Sequence, residues 1–115
     1  MQGKTKFETF NDGIVELYET NESGEMKEKY TVRIRFQNRI VGEGQFYGAM
    51  AADIKISRRV RVPLWKNIDE DSAQFFFAVI GNSVYKVIRA QHYPGKTPPC
   101  TDLTLNHYGE KNGRN

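Results

Sequence analysis

The sequence predicts an all-β domain: a small antiparallel β-barrel or sandwich of five or six strands, with one long glycine-containing loop and flexible termini. Three observations carry this expectation. Tyr30–Phe36 and the stretch through Asp53–Pro63 alternate apolar and polar residues, the period of strands that turn one face inward. The apolar run Ala73–Ile80 ends at Gly81-Asn82 and is followed by SVYKVIRAQHY, the layout of a hairpin with a two-residue turn. Turn residues punctuate the rest, leaving little room for helix.

Taken in order, Asn11-Asp12-Gly13 is a turn signal, because these residues tolerate positive φ. It opens IVELYET, a β-rich run closed by the polar break Asn21–Glu25. In the second strand Tyr30, Val32, Ile34 and Phe36 share a face, with Thr31, Arg33 and Arg35 opposite. In the third, Ile54, Ile56, Val60 and Val62 face one way with Arg58 among them, and Lys55, Ser57, Arg59 and Arg61 face the other. Pro63 cannot donate to a ladder and closes that strand. A strand over Ala73–Ile80 follows. Its return strand sets Val84, Lys86, Ile88 and Ala90 against Tyr85, Val87 and Arg89, so both faces are partly apolar, as in a central or barrel strand. TDLTLNHY gives the last strand with Leu103 and Leu105 inward, and the polar tail from about residue 109 to 115 is expected to be disordered. Between the second and third strands, Gly42, Gly44 and Gly48 make a flexible insertion, within which Gln45–Asp53 has the propensity for about two turns of helix.

A chain of 115 residues suits one domain spanning residues 1–115. Its 38% hydrophobic content supports a modest core, while 27% charged residues and a mean hydropathy of −0.66 describe a polar exterior. No apolar stretch nears the roughly 18 residues that cross a bilayer, and no apolar run follows the start as in a secretory signal. Synthesis in a cytoplasm, without membrane contact, is the expectation. A net charge of +3 is too mild to identify a nucleic-acid binder.

Catalytic templates fail. Cys100 is a lone thiol and cannot make an internal disulfide; an inert small residue is the preferred reading over a nucleophile. His92 and His107 have no acid or cysteine at a standard metal-ligand spacing and read as polar strand-end residues. Asp69-Glu70-Asp71 is a solvated loop with nothing apolar to raise a carboxylate pKa. Gly42-Glu43-Gly44 lacks the third glycine and the βαβ context of a dinucleotide fingerprint. No enzyme, cofactor or metal is expected.

Two binding features remain. Arg33, Arg35, Lys55, Arg59 and Arg61 would form a basic sheet face if their strands are neighbours. That face reads as a DNA or subunit contact, or as a solvated barrel wall. In the insertion, Arg39, Gly42, Gly44, Phe46, Tyr47 and Met50 read as a partner-binding loop, or the aromatic residues plug the barrel end.

The run QFYGAMAADIKISRRVRVP, then FFFAVIGNSVYKVIRAQHY, then TDLTL resembles the phage head–tail joining (head closure, or head completion) family, in the version of phages and prophages of Gram-positive bacteria. The matching parts are Phe46–Met50, Ile54–Val62, Gly81–Val87 with Tyr85 and Val87 at the family positions, and Leu103–Leu105. The resemblance covers residues 43–106 and, more loosely, the strands from Phe10. It implies a barrel subunit with a long loop and flexible ends, monomeric when free, that forms a homo-oligomeric ring beneath the portal and adaptor. Such a ring closes the DNA-filled head and offers a docking surface to tail-proximal proteins. The expected location is the virion, after synthesis in the bacterial cytoplasm. The alternative is a small barrel that binds nucleic acid, non-specifically, through its basic strand face.

Overall fold

The computed structural model describes residues 9–39 and 58–111. They form a closed antiparallel barrel of six strands: β1 (Gly13–Glu19), β2 (Val32–Arg39), β3 (Arg58–Pro63), β4 (Phe76–Ile80), β5 (Ser83–Tyr93) and β6 (Cys100–Glu110). Around the barrel they run β1-β2-β3-β6-β5-β4, and β4 closes onto β1. Closure pairs every strand with two neighbours, although β2 meets β3 over only part of its length among the described residues. No helix among the described residues is long and apolar enough to cross a membrane.

The alternation read from the sequence becomes the barrel interior. Val15, Leu17, Phe36, Val60, Val62, Ala78, Tyr85, Val87, Leu103 and Leu105 pack into one core, with Val32 and Ile34 partly buried against it. Tyr30 differs from expectation. It precedes β2 and is exposed, because the strand begins at Val32; its ring packs edge-on against Tyr18. Gly13 is fixed by space as well as by φ. At φ 145° its missing Cβ would stand 2.9 Å from the Phe36 ring. The Gly81-Asn82 turn forms as expected, with Gly81 at φ 62° between the paired Ile80 and Ser83.

Three expectations are corrected. Ala73–Phe75 forms a 3-10 turn, so the strand begins at Phe76; Ala73 N–H bonds back to the Asp69 carbonyl. In β5 the alternation breaks at a bulge. Val87 pairs with Leu105 and Arg89 with Thr104, which skips Ile88 and brings Ala90 onto the core side with Val87. The last strand also reaches further than TDLTLNHY. Gly109 and Glu110 pair with Val84 and Ser83, and Lys111 N–H donates to the Asn82 carbonyl at 2.6 Å, so residues 109–111 belong to the fold; the rest of the expected tail, 112–115, lies outside the described residues. The helix expected within Gln45–Asp53 lies outside the described residues.

A second, smaller core sits on the outer surface. Tyr18, Phe77, Val79 and Val84 are buried there with Met26 against them. Phe77 and Val79 alternate with inward Phe76 and Ala78, which explains the unbroken apolar run in the sequence: β4 is covered on both faces.

Candidate functional site

The expected basic face can be built strand by strand. β2 and β3 are neighbours, as that expectation required, and among the described residues they pair at three positions: Gln37 with Arg61, Asn38 with Val60, and Arg39 with Arg59. Arg33 and Arg35 lie earlier on β2, where it pairs with β1 opposite Glu16 and Ile14. The arginines therefore fall into two groups. Gly42, Gly44, Phe46, Tyr47, Met50 and Lys55 lie outside the described residues, so the loop half of the expected site is represented by Arg39 alone.

The group on β3 does not present Arg61 to solvent, which corrects the expectation of a basic outer face there. Arg61 is 3% exposed and Asp102, opposite it on β6, is 2% exposed. The guanidinium holds the carboxylate with both forks, Nε to Oδ1 at 2.5 Å and Nη2 to Oδ2 at 3.0 Å. Arg59 adds a longer contact to Oδ2 at 3.5 Å, and the Tyr93 ring lies 5.2 Å from the Arg61 guanidinium carbon. The chain before β1 covers this region. Thr9 and Phe10 donate their backbone N–H groups to Gln37 Oε1, beside Arg61, and Phe10 is buried. Its φ of 54° is a conformation that bulky residues rarely adopt. Among the described residues, buried Arg39 Nε has no hydrogen-bond acceptor.

Arg58 acts differently. It shares the core side with Val60, and its guanidinium lies over the rings of Phe36 and Tyr85 at 5.2 and 5.9 Å. It donates to Asn38 Oδ1 and to the Tyr85 hydroxyl. One charged head thereby finds polar acceptors and two ring faces on the core side of the barrel.

The β2 group is accessible. The Arg33 side chain is 52% exposed and meets Glu16 Oε2 at 3.4 Å. Glu16 also accepts from the Tyr18 hydroxyl at 2.9 Å and faces Lys111 Nζ at 3.6 Å. Burial, with the Glu16 carboxylate as hydrogen-bond acceptor, pushes the Tyr18 phenol up to about 12. On the same outer surface Lys86 Nζ sits 4.4 Å from the Phe77 ring centre and donates to the Gln74 carbonyl; burial lowers its pKa.

β2 also has an uneven edge. Val32–Phe36 pair with β1 only, and Gln37–Arg39 pair with β3 only. Past Arg61, β3 continues through Val62 and Pro63 along β6, and Leu64 N–H then donates to the Pro99 carbonyl. Pro63 has no N–H to offer. The side of Val32–Phe36 away from β1 therefore has no strand partner among the described residues.

The polar candidates from the sequence are placed as follows. Cys100 is the buried first residue of β6. His92 Nδ1 shares a 2.8 Å hydrogen bond with Thr101 Oγ1, which also accepts from Trp65 N–H. His107 is exposed beside Glu110. Hydrogen bonds from the Ser72 backbone and hydroxyl hold Asp69 below the usual carboxylate range. Among the described residues no three His, Cys, Asp or Glu side chains are grouped to hold a metal. Asp102 was not singled out in the sequence, although an acid within the apolar and hydroxyl run Cys100–Leu105 was a signal for a buried cationic partner. No family model matches the chain, and no curated protein sequence matches it either.

Proposed function

We propose that this chain is a structural assembly subunit of a tailed phage, a head–tail joining protein that forms a ring beneath the portal and adaptor and presents the docking surface for the tail. The reading starts from the order of sequence features shared with that family. The observation that supports it best is the closed barrel with a long stretch of sequence between two paired strands: β2 ends at Arg39, β3 begins at Arg58, Arg39 pairs with Arg59, and residues 40–57 lie between. A barrel with eighteen residues of sequence between β2 and β3 suits a subunit docking into a ring of heterologous contacts. The residues that first suggested chemistry have structural work instead. Arg61 neutralises Asp102, His92 bonds Thr101, and Cys100 is buried at the head of β6. Binding, with no reaction and no cofactor, is the activity assigned.

Deleting the gene from the phage or prophage that encodes it tests this reading. The expected result is DNA-filled heads that leak DNA and separate intact tails, joined again when the purified protein is added. Normal infectious particles from the deletion strain would contradict it.

A further inference from the structure

We infer that the open side of β2, from Val32 to Phe36, is a strand-addition site for an extended acidic segment of a partner protein. The backbone there is extended, already fixed on one side by β1, and has no strand on the other among the described residues. An incoming strand would bond to the main-chain groups of β2 that point away from β1, which have no strand partner among the described residues. Its side chains are specified by alternation. Positions level with Val32 and Ile34 meet half-buried apolar groups packed against the core, with Trp65 in the same cluster. Positions level with Arg33 and Arg35 meet exposed guanidinium groups.

The fitting segment therefore alternates apolar residues with Asp or Glu, because opposite charges directly across a pair are favourable and like charges are not. The same arginines disfavour a second copy of this edge, which would set arginine against arginine, and so act as charged guards against self-pairing. The occupant is thus a different, acidic chain. This inference does not depend on the phage reading, since it rests on strand register and charge alone.

The test uses the full chain and a fluorescent peptide, Thr-Val-Glu-Val-Glu-Val-Thr with blocked ends, alongside its lysine analogue in which both glutamates are replaced. Anisotropy should show saturable binding of the glutamate peptide, roughly tenfold tighter than the lysine peptide, with slowed amide exchange at Val32–Phe36. Substituting Arg33→Glu together with Arg35→Glu should reverse that preference, and Arg33→Gln with Arg35→Gln should erase it while the far-ultraviolet spectrum stays unchanged. Absence of saturable binding overturns the inference. Binding blind to charge, or amides at 32–36 already protected in the free protein, overturns it as well, the latter because the chain would then cover its own edge.

Discussion

Arg61 and Asp102 form a two-pronged ion pair across β3 and β6, both almost fully buried although they lie on the outer side of the barrel wall. Such a pair contributes little net stability compared with apolar residues of the same volume, yet leaving one member alone is costly. Asp102→Ala should therefore destabilise the fold by about 3–5 kcal/mol, and the double variant Arg61→Met/Asp102→Leu should recover most of that loss. Urea unfolding followed by the fluorescence of the sole tryptophan, Trp65, measures both. A double variant as weak as the single one would show that the pair itself stabilises the barrel.

Gly13 approaches the Phe36 ring too closely for a Cβ and holds a φ that L-residues rarely adopt. Gly13→Ala should cost about 1–3 kcal/mol, from overpacking and backbone strain together. Gly24 is the control: it also has a positive φ, but its Cβ would meet nothing within 4 Å, so Gly24→Ala should carry only the backbone part. Thermal unfolding of the two variants separates the steric share.

Leu17 is fully buried in the barrel core. Leu17→Ala should lose about 2–5 kcal/mol, by removing apolar contact and leaving a cavity. Chemical denaturation gives the value, with an unchanged m-value expected because the exposed surface on unfolding hardly changes.

Tyr18 supplies a pH prediction. Its folded pKa is raised from 10.0 to about 12, first by burial and then by the Glu16 carboxylate that accepts its proton's hydrogen bond. A group whose folded pKa is raised keeps its full contribution below the unfolded value and loses it as pH climbs through the folded one. Stability should thus fall between about pH 10 and 12, and Tyr18→Phe should flatten that part of the profile. Tyrosinate absorbance together with thermal melts at rising pH provides the measurement.

Much of the barrel was legible because strand alternation and turn chemistry are local. Val60 and Val62 inward, the Gly81-Asn82 hairpin and the stop at Pro63 each depend on a few neighbouring residues. The features that were not legible depend on registers set by distant strands. Arg59 and Arg61 alternate correctly outward, but whether that face is wet depends on Asp102, 41 residues away from Arg61, and on Phe10 being folded back over Gln37. The bulge at Ile88 leaves no mark in a run whose faces are both apolar. The division of β2, paired with β1 in one half and β3 in the other among the described residues, is a matter of register between strands. Of the candidate site, Arg33 and Arg35 stand on β2 as expected, Arg39 closes β2 where a loop position was expected, Arg61 changes role, and Gly42, Gly44, Phe46, Tyr47 and Met50 lie outside the described residues.

The most direct measurement of the central claim is the reconstruction of purified particles of the encoding phage by electron cryomicroscopy. The assembly reading predicts a ring between portal and tail whose subunits fit the six-stranded barrel, with residues 40–57 reaching a neighbouring subunit or the adaptor. Particles with an intact head–tail junction that lack this protein would contradict it.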